Sequence, residues 1–308
     1  MIFLSLLIFT GYILFFPKDA VDAAAKGLML WYERVLPTLL PFAILSNILI
    51  YSNYLQYINR LFAPLLKRLF PVSENGAFVL LTGFLFGFPM GSKNCAELLK
   101  CGRLEKKEAD ILFVVTNNIS PVFITSFILC GQLKLPQFSV LSLLILYVPP
   151  LVLLIVCGGR ERRRAEHRAA MTEKIPASGS QMNFKIIDAG IMNGFETLTR
   201  LGGYIMLFSM IASMIGKLPL SPLVRLVLTG TAELTNGIGM LPVSGLKPPV
   251  QYILAMAFTA FGGLSGIAQT SSMICGTGLS LKKYCITKLL LTIVSGLLAG
   301  CVTLLFPV

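Results

Sequence analysis

Long apolar runs separated by short polar stretches dominate this chain. A membrane's hydrocarbon core, about 30 Å thick, takes about 20 apolar residues of helix to cross. Residues 1–16 are apolar but short, and no basic residue precedes the run, which predicts a first helix rather than a cleaved signal peptide. Residues 35–50 form the next run, with the partly polar stretch 26–34 extending the same helix. Residues 59–70 (NRLFAPLLKRLF) alternate apolar and basic positions at helical spacing, as a helix lying in the membrane interface does. Residues 76–91 are apolar but are interrupted or bounded by Pro89 and four glycines. Residues 111–129 and 138–156 read as full spans, the first carrying Asn117, Asn118, Ser120 and Pro121 in its middle. The later runs are 198–215, 223–241 (broken by TAELTNG), 250–274 (broken by FGGLSG) and 284–306.

Composition agrees with the pattern. The 308 residues are 55% hydrophobic and only 13% charged, with a mean hydropathy of +0.79, whereas soluble domains carry roughly a quarter charged residues. The chain is therefore expected to be an integral membrane protein. A net charge of +12 raises nucleic acid as a partner, but no soluble segment is long enough to present a basic patch. Lys and Arg instead fill cytoplasmic loops facing anionic lipid headgroups. The single His and seven scattered Cys lack the spacing of a zinc or haem site, so no metal or cofactor is expected. The cysteines sit mostly in apolar stretches, as free thiols do.

The sharpest change of composition falls at 158–185, with seven Lys or Arg, three acidic residues and the only His. This divides the chain into an N-terminal helix (1–24), a first repeat (25–157), a basic cytoplasmic linker (158–185) and a second repeat (186–308). Phe86-Gly87-x-x-x-Gly91 matches Phe261-Gly262-x-x-x-Gly266, and each is followed by a glycine (Gly102, Gly278) and then a lysine pair (Lys106-Lys107, Lys282-Lys283). Arg34 pairs with Arg200 and Pro64 with Pro222 in a drifting register. If 76–91 enters and leaves on one side, then 52–75, 92–110 and 158–185 share the basic, cytoplasmic face. That favours inverted repeats over parallel ones, although it puts Lys282-Lys283 outside. The expected fold is an all-α integral membrane protein with about seven to nine hydrophobic segments, in two inverted structural repeats with re-entrant or broken helices.

Irregular backbone at membrane depth is tolerated only where protein buries it or where it lines a watery cavity. The breaks at Gly87, Pro89 and Gly91, and at Gly262, Gly263 and Ser265, therefore point to a central site. There, freed N–H groups at a helix start can hold an anion. Lys93 either adds a full positive charge or snorkels to the interface. Polar residues within spans tend to face a pathway or to bond neighbouring helices. They form three clusters: Asn117, Asn118 and Ser120; Glu233, Thr235 and Asn236, with Gly237 beside them; and Gln269, Thr270, Ser271 and Ser272. Glu233, the lone acid of its run, is read as a protonation site, a cation ligand or the partner of a base. Glu196 and Arg200, four apart, suit an ion pair on one helix face.

Four segments in order, GFPMGSKNCAELLKCGRL, NNISP, TAELTNGI and AFGGLSGIAQ, resemble the YlbJ-type sporulation integral membrane proteins, also called stage V sporulation protein V. These stand within the wider group carrying nucleoside-recognition or Gate domains, and the similarity extends over nearly the whole chain. The resemblance implies a role in endospore formation, moving dipicolinic acid across the outer forespore membrane. Gate-type segments are also similar to the re-entrant hairpins of concentrative nucleoside transporters. Carried over by motif, the implicated residues are Gly87, Pro89, Gly91, Asn117, Asn118, Glu233, Asn236, Gly237, Gly262, Gly263, Ser265 and Gln269. Dipicolinate is a planar dianion, which helix N-termini, amide side chains and Lys93 suit.

The alternatives are a transporter of nucleosides or another small solute, and a non-transporting assembly protein docking through 158–185. An intramembrane enzyme is not expected, because no span contains a His. ATP hydrolysis is not expected either, because the chain has no Walker-type loop. Association of several copies stays open.

Overall fold

The computed structural model describes residues 2–52, 54–169 and 183–306, and all regular structure among them is helical. Among the described residues, five helices are long and apolar enough to cross a membrane: Pro17–Tyr51, Pro136–Gly158, Phe184–Gly216, Pro248–Met273 and Leu281–Leu305. A sixth is reached if Leu55–Leu69 and Glu74–Phe86, bent by 90°, count as one. Full spans are fewer than apolar segments because several segments are arms of hairpins.

Helices α1 (Ile2–Phe15) and α2 (Pro17–Leu30) open the fold. A π-helical turn, Trp31–Val35, joins α2 to α3 (Leu36–Tyr51), so the polar stretch 26–34 does extend the following helix. Next comes α4 (Leu55–Leu69), which buries Leu55, Asn59 and Ala63 and exposes Tyr57, Leu61, Leu65 and Leu69 beside Arg60, Lys67 and Arg68. An apolar outer face flanked by cations, at a right angle to the next helix, is the geometry expected of an interfacial helix.

Helices α5 (Glu74–Phe86) and α6 (Met90–Lys100) form a hairpin. Gly87, at φ 74°, ends α5, and Pro89 precedes α6. The arms are antiparallel, since Asn94 Nδ2 donates to Thr82 Oγ1 (3.0 Å) and, at the feet, Asn75 Nδ2 donates to the Arg103 carbonyl (2.8 Å).

Residues 111–129 are not the continuous span expected from sequence. Helix α7 (Lys106–Val115) stops, residues 117–120 are non-helical, and a π-helical segment, Phe123–Leu133, carries the chain on. Pro121 disfavours helix in the residue before it, and Asn118 Nδ2 takes the Val115 carbonyl at 2.6 Å, closing the end of α7.

Helix α8 (Ser139–Ala169) runs into the basic segment between the halves, so the expected linker at 158–185 begins as helix. Residues 170–182 of that linker lie outside the described residues. Helix α9 (Phe184–Gly216) is capped by Asn183 and packs antiparallel on α2 and α3, with Gly190 against Ile48, Gly194 against Ile44 and Gly27 against Ser209.

A second hairpin follows from α10 (Pro222–Ala232) and α11 (Leu234–Met240), broken at extended Glu233. Its arms touch at backbone distance: a Cβ on Gly237 would lie 2.2 Å from the Gly230 Cα. Helices α12 (Pro248–Phe261) and α13 (Gly263–Met273) together form one span interrupted by Gly262 and Gly263, both at positive φ. The last helix, α14 (Leu281–Leu305), turns Tyr284, Lys288, Leu291, Ser295 and Ala299 inward and leaves Ile286, Leu289, Leu290, Ile293 and Leu297 outside.

Two expectations change. Lys282-Lys283 was expected on the face opposite residues 92–110. Instead, Lys283 Nζ pairs with Asp110 Oδ2 at 3.2 Å, and a Cβ on Gly278 would lie 3.0 Å from Lys106 Nζ. The two lysine pairs therefore share one face with the feet of the first hairpin. In addition, the matched Phe-Gly dipeptides occupy different breaks: Phe86-Gly87 ends the arm of a hairpin, whereas Phe261-Gly262 interrupts a span.

The Gly230–Gly237 contact generates a stability prediction. Gly237→Val is expected to cost about 1–3 kcal/mol by overpacking and to lower the melting temperature in detergent. Gly239→Val, on the same helix with nothing within 4 Å of its Cβ, serves as the control and is expected to stay near wild type.

Candidate functional site

Each hairpin tip meets a break between helical segments, the first at 117–120 and the second at Gly262-Gly263 within the Pro248–Met273 span. At the first, Phe88 N donates to the Asn118 carbonyl at 2.6 Å, and a Cβ on Gly87 would lie 2.5 Å from Ser120 N. At the second, a Cβ on Gly263 would come within 3.3 Å of Leu234 N and 3.4 Å of the Ala232 carbonyl. The two assemblies touch where the Phe88 ring faces Gly266. Backbone groups freed by the breaks find protein partners: Ile119 O accepts from Tyr147 OH at 2.6 Å, and Phe123 N donates to Ser120 Oγ at 3.3 Å.

A cavity of about 140 Å³ lies at this junction, similar to the ~150 Å³ that accommodates a benzene ring in an engineered apolar site. The expected site residues Ser120, Glu233, Thr235, Gly262, Ser265 and Gln269 line it. Phe86, Phe88 and Phe123 supply aromatic walls, and Arg34 and Thr38 come from the π-helical turn and the start of α3. The Arg34 guanidinium has no hydrogen bond or ion pair among the described residues. Both α13 and the Phe123–Leu133 segment begin at the wall, bringing N-terminal dipole ends to it.

Glu233 caps the start of α11. Its Oε2 accepts from the Asn236 backbone N–H at 2.8 Å, from Asn236 Nδ2 at 3.0 Å and from Thr235 Oγ1. It is 5% exposed and has no ion pair among the described residues. Of the roles read from sequence, partnership with a base is not the one the structure builds. Gln269 Nε2 donates to Ser265 Oγ at 2.8 Å, preordering both side chains at the wall.

The other expected residues lie behind the cavity. Gly87 and Pro89 form the tip, and Gly91 packs against Thr116, its Cβ position 2.4 Å from that carbonyl oxygen. Asn117 is a buried junction: Nδ2 donates to Thr270 Oγ1 (2.8 Å) and Tyr284 OH (2.9 Å), while Oδ1 accepts from Ser92 Oγ (3.1 Å). Asn118 accepts from Lys288 Nζ at 3.0 Å. Asn236 and Gly237 belong to the second hairpin.

Lys93 neither lines the cavity nor snorkels. It is 3% exposed and bonded to Asn47 Oδ1, in a chain that runs through Asn193 to Tyr51 and Glu97. A residue two places after Gly91 faces α3 and α9 because the hairpin arm packs there. Ser271 and Ser272 are half-buried beside Thr270. Glu196 and Arg200 form the expected exposed pair at 2.5 Å. All seven cysteines are free. Sequence reasoning missed two cations. Arg34 was read only as a marker of the repeat. Lys288 is the one charged residue of the run 284–306, a signal that was available.

Comparison with known proteins agrees with this geometry. Residues 33–134, from the π-helical turn through the first hairpin and its partner break, match the Gate family, described as nucleoside recognition. The first half therefore contains a segment similar to Gate domains. Over 316 aligned residues the chain is 25% identical to the sporulation integral membrane protein YlbJ of Bacillus subtilis (strain 168), covering 92% of this chain and 78% of that protein. The resemblance read from the four motifs is therefore shown. No solved structure matches the chain. The Gate-like segment includes Arg34, the first hairpin and the aromatic wall, whereas Glu233 and Gln269 come from the other half.

The Glu233 cap can be tested by stability. Glu233→Ala removes the side-chain acceptor at the start of α11 and is expected to cost about 1 kcal/mol, lowering the unfolding temperature followed by the fluorescence of the single tryptophan. Glu233→Gln keeps an oxygen acceptor and is expected to lose less than half of that.

Proposed function

We propose that this chain is a non-enzymatic membrane transporter of a small anionic solute, with dipicolinate the first candidate, acting in endospore formation at the outer forespore membrane. The observation that carries the reading is the unpaired Arg34 facing a cavity into which two helical segments aim their N-terminal ends. A guanidinium is the side chain best suited to a carboxylate, which it can take bidentately. The three phenylalanines fit the faces of a planar ring. Glu233 is committed to the cap of α11, so its charge is offset by that helix start. The setting in sporulation rests on the name of YlbJ.

In this proposal the two halves are inverted repeats, in a register set by hairpins and breaks rather than by the Phe-Gly match. Helix α3, the α5–α6 hairpin, the break at 117–120 and α8 correspond to α9, the α10–α11 hairpin, the break at Gly262 and α14. What supports it is the antiparallel packing of α3 on α9 and the gathering of the basic segments on one face. The Gly158 end of α8 meets Pro71 there, while Lys217 pairs with Asp19 at 2.6 Å near the other end of α9. By the positive-inside rule the first face is cytoplasmic. Nucleosides are the second reading, favoured by the description of the Gate domain and by the neutral hydrogen-bonding groups of Thr235, Ser265 and Gln269.

Proteoliposomes containing only this protein are expected to take up labelled dipicolinate. Arg34→Gln is expected to lower uptake about tenfold or more, as the loss of a charge-assisted contact of roughly 1.5–3 kcal/mol implies. Uptake of nucleosides with none of dipicolinate selects the second reading, and uptake of neither defeats transport by the chain alone. For topology, single cysteines replacing Lys106 and Lys282 are expected to react with an impermeant reagent from the same side, and one replacing Lys247 from the other. Labelling of positions 106 and 282 from opposite sides counts against this register.

A further inference from the structure

Lys288 lies on the inward face of α14, two turns from its start, and is 2% exposed. Its Nζ has one hydrogen-bond acceptor, Asn118 Oδ1 at 3.0 Å, and sits 5.8 Å from the Tyr284 ring centre. No acid answers it. Four helices pack on α14: α7, α8, α12 and α13. From Pro248 to Met273, α12 and α13 contain no charged residue, and neither does α8 between Ser139 and Gly158. Their tyrosines point elsewhere, Tyr252 to Ser142 and Tyr147 to Ile119. The charges of α7 lie in its first half, where Asp110 is held by Lys283. The remaining lysines of α14, Lys282 and Lys283, are at its start.

An ammonium carries three N–H groups, and this one is enclosed at membrane depth with a single acceptor, where a lone charge is costly. The neutral amine keeps the same bond to Asn118 without that charge. Asn118 in turn reaches the cavity, since its carbonyl accepts from Phe88 N at 2.6 Å, and Phe88, Ile119 and Ser120 line the wall. The charge on Nζ is thus separated from a cavity anion by one residue of unwound backbone.

We propose that Lys288 is the proton-carrying residue of transport: as the anion enters, the break at 117–120 shifts to admit cavity water, and the Nζ lone pair takes a proton from hydronium, leaving water; as the anion leaves, the ammonium returns that proton to water on the far side as hydronium. The inference rests on the anion-transport reading. Dianion and ammonium stabilise each other, so each is retained while the other is present. The first hairpin feels the exchange through Asn118 and Phe88.

The test uses the whole protein in liposomes, with dipicolinate as the probe and an imposed pH gradient. Wild type is expected to carry protons with dipicolinate, read by a trapped pH dye. One proton per anion raises accumulation about tenfold per pH unit of gradient. Lys288→Met and Lys288→Arg, one never charged and one always charged, are expected to lose that dependence. Folding of both variants is read independently of transport, from their elution in detergent and from an unfolding temperature near wild type followed by the fluorescence of the single tryptophan. Gradient-driven accumulation by either variant, or dipicolinate uptake by wild type without proton movement, overturns the proposal.

If wild type takes up no dipicolinate, the transport reading has failed and a second arm decides for Lys288. Thr38→Cys at the cavity wall, in a background without other cysteines, is labelled with a neutral maleimide across pH. A pH-dependent step present with Lys288 and absent with both substitutions supports a titrating switch, and superimposable profiles overturn it.

Discussion

Backbone amides and carbonyls at membrane depth have no water to turn to, and in this protein the interruptions of its helices answer one another. The tip of the first hairpin donates Phe88 N–H to the Asn118 carbonyl of an unwound helix, and the second tip lies against Gly263 of another. In hydrocarbon each unmet group costs several kcal/mol, so broken backbone survives only where such partners converge. The cavity follows from the same constraint. Four segments that cannot face lipid must face each other, and the space between them is where helix ends, Arg34 and the phenylalanines meet. The Gate-like segment contributes two of those segments and the second half of the chain the other two.

Much of this was legible in the sequence. Apolar runs broken by Gly and Pro, and by TAELTNG, marked the interruptions at 87–89, 233 and 262–263, and the alternation in 59–70 marked a helix with one apolar face; the break at 117–120 was read as a full span. The other three breaks were visible, but whether a break folds the chain back or lets it continue was not. Phe86-Gly87 and Phe261-Gly262 look alike in sequence, yet the first ends one arm of a hairpin held by Asn94 and Thr82 and the second interrupts a helix that carries on. That difference depends on contacts 12 residues apart or more, which composition does not carry. The loop-charge argument put Lys282-Lys283 on the face opposite 92–110, and the fold puts them on the same one. The Asp110–Lys283 pair shows why, by joining two segments that local pattern gives no reason to join.

Side-chain direction was the other quantity hidden from composition. In α14 the same helix presents Leu289, Ile293 and Leu297 outward and Tyr284, Lys288 and Ser295 inward. Mean hydropathy averages these faces and reports only an apolar run. The misreading of Lys93 has the same origin. Spacing from Gly91 puts it near the break, but the hairpin turns it toward Asn47 and away from the cavity.

The two hairpins are hung differently. The first is joined at its foot to α4, with Asn59 Nδ2 donating to Asn75 Oδ1 at 3.0 Å and a 90° bend between the helices. The second descends directly from the end of α9, a helix that spans the molecule. A helix lying in the interface rides with the lipid headgroups, whereas the end of a spanning helix is fixed to the protein. With α4 in the interface and α9 across the bilayer, a change in bilayer thickness would shift the first tip relative to the second, so the opening between them would respond to the lipid in which the protein sits.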